Sequence, residues 1–141
     1  MTQTGTQNQQ QERRWIYNQR TGQLRDPDGR IVQERGYSGT PTHRNNPASE
    51  NVVGQGPIPG GQWRIDNNVP QNRPSTGAYS IGIQPEGHNA HGRAGFYIHG
   101  DSRQNPGTAS RGCPIFSRRQ REAIYNSGVR RFDVVNEPEW Q

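Results

Sequence analysis

The chain has 141 residues, the length of one domain, and only 26% of them are hydrophobic, so it can build no more than a thin core. Its 17 basic residues are all arginine and give a net charge of +5, which favours an anionic partner, but they are too scattered to indicate nucleic-acid binding. The single cysteine excludes an intramolecular disulfide, and no stretch has the length and apolarity that insertion into a membrane requires.

The N-terminal third predicts a polar arm followed by short strands and one long loop. Residues 1–13 contain almost no apolar side chains, and we expect them to form a disordered arm. Strands are predicted at 14–18 and 31–38, with the turn signal RDPDGR (25–30) between them. The segment 39–61 is rich in Gly, Pro and Asn, which is typical of a functional surface loop or a lid.

Further strands are predicted at 62–66, 78–85 and 95–100. The last of these, GFYIHG, alternates so that Phe96 and Ile98 share one face while Tyr97 and His99 share the other. This pattern places a histidine beside a tyrosine at the end of a strand, away from the apolar face. A functional side chain is expected at such a position.

One helix is predicted to begin at Ser117. Ser117 and Gln120 have the spacing of a capping box, and Gly128 is a stop signal. A last strand is predicted at 132–135, and residues 137–141 are predicted to form a C-terminal tail. The fold class is therefore mainly β, with one short helix.

Cys113 lies between a glycine and a proline on a turn-forming connection. A free cysteine is often merely a small buried hydrophobic residue, and this alternative stays open. However, a turn containing Ser110 and Gly112 can present unpaired backbone N–H groups that form an oxyanion hole. A thiol of ordinary pKa is only about 3% ionised at pH 7, and a neighbouring imidazole raises that fraction and can later donate a proton.

All four histidines precede Cys113, which excludes the papain-like order in which the nucleophile comes first. His99 is the preferred base because a strand fixes it and the intervening loop can fold back to the cysteine. Asp101 is a candidate for orienting the imidazole ring, and so is a backbone carbonyl, such as that of Gly100. The alternative for His99 is a partly buried structural histidine.

His88 and His91, in GHNAHG, are the only pair of histidines close enough in sequence to indicate a metal site. No third ligand stands at a usual zinc spacing, so we expect a polar loop there. The sequence predicts neither a metal nor another cofactor.

Several motifs in order resemble one known family. IHGDS followed by SRGC resembles the signature of the L,D-transpeptidase (YkuD-like) fold. The chain from Trp15 to Val135 is most similar to small L,D-transpeptidase-like effectors of bacterial type VI secretion, through WIYNQRTGQL, GYSG, NNP, GPIPGG, GR, FYIHGDS and SRGC. The resemblance implies an L,D-transpeptidase-like β-sandwich or barrel with one short helix after the catalytic cysteine, in a catalytic domain spanning 14–136.

The resemblance also implies a toxin that acts on peptidoglycan without a cofactor. Cys113 matches the family nucleophile and His99 the family base, while Ser110 and Gly112 match the turn that presents the thiol. Such effectors remove the terminal D-alanine of tetrapeptide stems, or exchange it for another D-amino acid. The implied partners are stem peptides, D-amino acids as acceptors, a cognate immunity protein and the secretion machinery, with no nucleic acid and no membrane insertion.

No secretory signal is visible in the sequence, which fits an effector made in the cytoplasm and injected into the periplasm of a target bacterium. Candidates for binding the substrate are Arg93, Arg111, Tyr97 and Tyr37. Arg111 stands where housekeeping L,D-transpeptidases usually have histidine, a departure that bears on acceptor specificity. The alternative function is a non-catalytic domain of the same fold that binds the cell wall or a protein.

Overall fold

The computed structural model describes residues 12–141, so most of the predicted arm lies outside the described residues. Short strands account for most of the regular structure, and no helix among the described residues has the length and apolarity of a membrane span. The strands are β1 (Trp15–Asn18), β2 (Leu24–Arg25), β3 (Ile31–Val32), β4 (Gly61–Ile65), β5 (Gln71–Arg73), β6 (Gly77–Glu86), β7 (Tyr97–Ile98) and β8 (Arg131–Val135). The α-helix is α1 (Arg118–Asn126), and short 3₁₀ turns span Pro47–Ser49 and Ala90–Gly92.

The strands form one sheet in the order β3-β2-β1-β8-β4-β6-β5, with β7 also paired to β6. Strands β1 and β8 are parallel, and every other pair is antiparallel. The prediction of a mainly β fold with one short helix is confirmed. Because β1 pairs with β8, the two ends of the domain meet in the middle of the sheet.

The core is built largely from aromatic side chains. Tyr17 lies against both Phe116 and Phe132, with ring centroids 5.7 and 6.0 Å away, and Trp63 contacts Phe96 at 4.9 Å. All five are buried. Each large apolar side chain removed from water contributes about 2–3 kcal/mol, so a few aromatic residues compensate for the low hydrophobic content. The core thereby holds Phe96 and Phe116, which flank the candidate site, in fixed positions.

The predicted helix is confirmed, with one difference at its N-terminus. Ser117 is the N-cap, and its Oγ accepts a hydrogen bond from the Gln120 amide at 3.1 Å. In a capping box, the side chain of Gln120 would accept a hydrogen bond from the amide of Ser117. Here Glu34, which lies outside the helix, accepts hydrogen bonds from the Ser117 amide (2.7 Å) and hydroxyl (2.6 Å). Gly128 follows the helix with φ +76°, a conformation that favours glycine.

Other sequence predictions differ from the structure where the pairing of neighbouring segments determines which residues form a strand. The predicted strand at 31–38 is regular only over Ile31–Val32, and the one at 95–100 only over Tyr97–Ile98. Strand β5 was not predicted, because its residues (QNR) are polar and show no apolar alternation. The predicted tail at 137–141 packs against the sheet, since Trp140 is buried and Arg25 covers its ring at 4.1 Å.

Candidate active site

The site forms where the end of β7 pairs with the connection that precedes α1. The His99 amide donates to the carbonyl of Pro114 at 3.1 Å, and the His99 carbonyl accepts from the Phe116 amide at 3.0 Å. This pairing brings the histidine segment beside the segment that contains Cys113. The prediction that the intervening loop folds back, so that these two segments meet, agrees with the structure.

The thiol of Cys113 is partly exposed and lies over the backbone of β7. Its Sγ atom is 3.3 Å from the Tyr97 amide, which donates to it, and 3.8 Å from the carbonyl oxygen of Gly95. Burial raises the pKa of the thiol, and the Tyr97 amide and the charges of Arg73 and Arg93 only partly offset that effect. The resting group is therefore a protonated thiol.

His99 is buried, with 3% of its surface exposed. Its Nδ1 atom lies 3.0 Å from the carbonyl oxygen of Gly100. A carbonyl can only accept a hydrogen bond, so Nδ1 carries the proton and Nε2 of the neutral ring has a free lone pair. Burial lowers the pKa of the imidazole, which favours this neutral form.

The directions of these two pKa shifts differ from the expectation that the imidazole raises the ionised fraction of the thiol. The two side chains are not hydrogen-bonded to each other among the described residues, and burial favours the neutral form of each. The pair at rest is thiol and imidazole, not thiolate and imidazolium.

The turn that presents Cys113 is organised by the hydroxyl of Ser110. Its Oγ donates to the carbonyl of Cys113 (2.7 Å) and accepts from the amides of Gly112 (3.0 Å) and Gly39 (2.8 Å). The Gly112 amide is thus not a free donor for an oxyanion, which differs from the sequence-based expectation. The backbone amide of Cys113 has no hydrogen-bond partner among residues 12–141.

A second buried serine fixes the same turn from the other side. Ser38 donates through Oγ to the carbonyl of Gly112 (2.6 Å) and accepts from the Ile58 amide (2.8 Å). Gly112 has φ +143°, which side chains with a Cβ rarely adopt. The two serines therefore hold in place, directly before the cysteine, a backbone conformation that glycine adopts without strain.

Arg93 joins the long loop to this turn. Its side chain is buried, with 7% exposed, and the two Nη atoms donate to four backbone carbonyls. The acceptors are Glu50 (2.7 Å), Pro57 (2.8 Å), Gly56 (3.0 Å) and Arg111 (3.1 Å). The guanidinium nitrogens that would bind a substrate carboxylate are thus already engaged with the protein backbone.

A pocket of about 290 Å³ opens beside the thiol. One wall is the predicted loop at 39–61, which contributes Val53, 73% exposed, and Gly54. Among the predicted substrate-binding residues, Arg93 and the exposed Arg111 line this pocket. The remaining lining residues are Gly92, Ala94, Gly95, Phe96, Gly112 and Cys113.

The sequence profile of the Tlde1 domain matches residues 33–139. The chain belongs to this family. Tlde1 domains are antibacterial effectors of the type VI secretion system, delivered into target cells and associated with a cognate immunity protein. No curated protein matches the chain. The match begins directly after β3, so β1, β2 and β3 lie outside it, although β1 pairs with β8 inside it.

Two predicted site residues of this Tlde1 domain, Tyr37 and Asp101, bind each other. The Tyr37 hydroxyl donates to Asp101 at 2.6 Å and accepts from the Ala109 amide at 3.0 Å. The same carboxylate accepts from the amides of Ser102 and Gly107. Asp101 therefore organises the loop between the two site segments. The ring of His99 is hydrogen-bonded to the carbonyl of Gly100 and not to Asp101.

The histidine pair of GHNAHG makes separate contacts. His88 Nε2 lies 2.9 Å from the carbonyl of Gln62, and His91 Nε2 lies 3.0 Å from Glu50. In the described part of the chain, no three His, Cys, Asp or Glu side chains cluster as a metal site would require. The hydrogen bonds of His91, the Gly60 amide and Gln19 hold the pKa of Glu50 below its usual value, although burial acts in the opposite direction.

Sequence analysis missed Arg73 and the role of Ser38. Arg73 comes from the unpredicted strand β5, and its guanidinium lies 3.7 Å from the centre of the Tyr97 ring. No local signal identifies it, because its position depends on the pairing of β5 with β6. Ser38 stands in the GYSG motif, and its position next to a glycine was the only available indication.

Proposed function

We propose that this Tlde1 domain is a cysteine L,D-carboxypeptidase and L,D-transpeptidase that acts on tetrapeptide stems of peptidoglycan in the periplasm of the target bacterium. The observation that carries the proposal is the pairing of the His99 segment with the Cys113 turn, with Nδ1 engaged by the Gly100 carbonyl. The neutral ring then has its basic atom at Nε2, on a segment that is paired with the one containing the thiol. The pocket of about 290 Å³ provides space for a peptide.

In the acylation step, His99 Nε2 accepts the thiol proton while Sγ attacks the carbonyl carbon of the bond between diaminopimelate and D-alanine. A carbon–sulfur bond forms, and the carbon–nitrogen bond to D-alanine then breaks. The imidazolium returns the proton to the departing amine. The neutral starting pair suits this order, because the proton moves only when the nucleophile attacks.

The free backbone amide of Cys113 is the donor that we assign to the oxyanion. It belongs to the nucleophile residue itself, so it stays within reach of the carbonyl oxygen throughout the attack. Removal of one such donor typically slows a reaction by about 10²–10³-fold. Ser110 and Ser38 hold the turn that aims this amide, and Gly112 supplies the required backbone conformation.

In the second step, the thioester is resolved by water or by the amine of a D-amino acid. His99 takes a proton from the attacking group, and the thiol recovers it as the carbon–sulfur bond breaks. Hydrolysis yields a tripeptide stem, and aminolysis yields a stem with an exchanged terminal residue. We assign to Arg111, which is exposed at the pocket wall, the binding of the carboxylate of the diaminopimelate side chain.

The test uses purified disaccharide-tetrapeptide, with and without added D-methionine, read by mass spectrometry. Wild type should release D-alanine or replace it with D-methionine, while Cys113→Ala and His99→Ala should do neither. Thermal melting of each variant checks that it is folded. An unchanged tetrapeptide with folded wild-type protein would contradict the proposal and favour a domain that only binds the wall or a protein.

A further inference from the structure

The guanidinium group of Arg73 lies at the site and forms no ion pair with the described residues, 12–141. It covers the ring of Tyr97 at 3.7 Å, and its Nη1 atom is buried and has no hydrogen-bond partner among the described residues. Nη2 makes only a long contact of 3.5 Å with the hydroxyl of Ser75. Burying a cationic donor without an acceptor is unfavourable, so such an arrangement favours the binding of an anion.

Arg73 lies close to the two candidate reacting groups, Cys113 and His99. The amide of Tyr97, whose ring it covers, donates to Sγ of Cys113 at 3.3 Å. The charge of Arg73 lowers the pKa of the Cys113 thiol, against the effect of burial. It also lowers the pKa of the His99 imidazole, in the same direction as burial. Arg73 is not among the residues that line the pocket of about 290 Å³.

The other two arginines of the site do not provide this function. The Nη atoms of Arg93 are engaged by four backbone carbonyls, and Arg111 lies on the pocket wall beside Gly112. Arg121, whose charge also acts on His99, is engaged by the carbonyls of Ala78, Tyr79 and Phe116. Among residues 12–141, Arg73 is therefore the cation on the histidine side of the thiol whose guanidinium has neither a carboxylate nor a carbonyl acceptor. The departing amine must lie on this side, because His99 gives it a proton.

We infer that Arg73 binds the free carboxylate of the terminal D-alanine, and the carboxylate of the D-amino acid that replaces it. The inference rests on the proposed function. One Cα atom separates the amine of D-alanine from its carboxylate, so an amine next to His99 places the carboxylate next to a cation close to that histidine. The same contact would select terminal residues over internal peptide bonds.

The first experiment compares two substrates that differ only in this carboxylate: tetrapeptide with a free terminal D-alanine, and the same peptide with a D-alanine amide. Wild type should have a higher kcat/KM for the free acid. Arg73→Met should reduce that preference by about tenfold or more, and Arg73→Lys should retain part of it. Arg111→Met should lower kcat/KM for both substrates without changing their ratio, and Arg119→Met, on the exposed face of α1, is the neutral control.

The second experiment needs no peptidase activity. Iodoacetate and iodoacetamide both alkylate Cys113, forming a carbon–sulfur bond and releasing iodide, but only iodoacetate has a carboxylate. The ratio of their rates is independent of the ionised fraction of the thiol, so it reports the charge beside Sγ. At low ionic strength we expect Arg73→Met to lower the iodoacetate-to-iodoacetamide ratio by at least about threefold, and Arg119→Met to leave it unchanged.

The two experiments separate the two claims. An unchanged alkylation ratio in Arg73→Met, or an unchanged preference for the free acid, overturns the role of Arg73 even in an active enzyme. If wild type cleaves neither peptide but Arg73 still controls the alkylation ratio, the carboxylate-binding group stands, and the assignment of D-alanine as its ligand fails together with the proposed function.

Discussion

The Nη2 atom of Arg93 occupies the space that a Cβ atom on Gly112 would need. The carbonyl oxygen of Gly56 would lie only 3.1 Å from the same Cβ. A guanidinium group at the end of a free side chain could move aside, but this one is held by four backbone carbonyls. The turn before Cys113 and the loop at 39–61 are therefore closed against each other at a position where only glycine fits.

Gly112→Ala should consequently disrupt the nucleophile turn. The substitution combines a disfavoured backbone conformation at φ +143° with a clash against Arg93. We expect a loss of about 2–4 kcal/mol in the free energy of unfolding and a fall in kcat/KM of at least about 100-fold. Denaturant titration and D-alanine release measure the two effects.

Gly128→Ala is the matched control for Gly112→Ala. Gly128 also has a positive φ, +76°, but no atom lies within 4 Å of a Cβ built there. It should cost about 1 kcal/mol of stability and leave kcat/KM unchanged. If Gly112→Ala behaved like this control, the clash with Arg93 would not matter for the site.

Arg93→Met should weaken the connection between the loop and the turn. It leaves the buried carbonyl groups of Gly56 and Pro57, and the partly buried ones of Glu50 and Arg111, without their donors. We expect a destabilisation of about 2–5 kcal/mol and faster amide exchange across residues 50–58. Arg64→Met, which removes an exposed ion pair with Glu86, should change stability by less than about 1 kcal/mol. Equal effects of the two substitutions would contradict a bracing role for Arg93.

The pH dependence of kcat/KM should show a broad plateau. The reactive pair holds one proton, so activity falls at low pH when His99 becomes protonated and at high pH when both groups are deprotonated. Because burial lowers the pKa of His99, the acid limb should lie below its ordinary value of 6.5. Because burial raises the pKa of Cys113, the alkaline limb should lie above the ordinary range of a thiol.

Alkylation of Cys113 by iodoacetamide gives an independent check on the same pair. The rate should rise with pH along the titration of a thiol whose pKa is above its ordinary value. Fast modification at neutral pH, with a pKa below the ordinary range, would indicate a preformed thiolate and contradict the neutral resting pair.

Asp101→Asn should have a limited effect on catalysis. The carboxylate holds its own loop through Tyr37, Ser102 and Gly107, and the imidazole is oriented by the Gly100 carbonyl. We expect kcat/KM to fall by less than about tenfold, as for loss of a supporting hydrogen bond. A loss of 1,000-fold or more, of the size seen for essential triad members, would assign Asp101 a direct part in orienting His99.

The sequence alone identified those parts of the fold that depend on local rules. Short runs rich in apolar residues and bounded by turn signals predicted β1, β4, β6 and β8, because such runs are buried in the sheet whatever strands lie next to them. The spacing of Ser117 and Gln120 predicted the start of α1. Strand β5 has no apolar side, so it exists only because β6 offers it a partner.

The candidate site also has features that are visible in the sequence and features that depend on the fold. The residue types and their order selected His99 and Cys113, since an imidazole on a strand and a thiol on a glycine turn are visible in the chain itself. Whether the thiol is ionised could not be read there, because burial by distant residues sets both pKa values. Nor could the sequence separate the surroundings of Arg93, Arg111 and Arg73, which have the same side chain.

Only the tertiary structure shows those surroundings. Arg93 is surrounded by the carbonyls of a loop some 40 residues earlier in the chain, and Arg73 reaches Tyr97 only through the pairing of β5, β6 and β7. Local sequence fixes which atoms a residue can offer. The order of the strands and the packing of the loops determine which groups those atoms contact, because they bring together segments far apart in the chain. The partners of each arginine are therefore visible only in the folded protein.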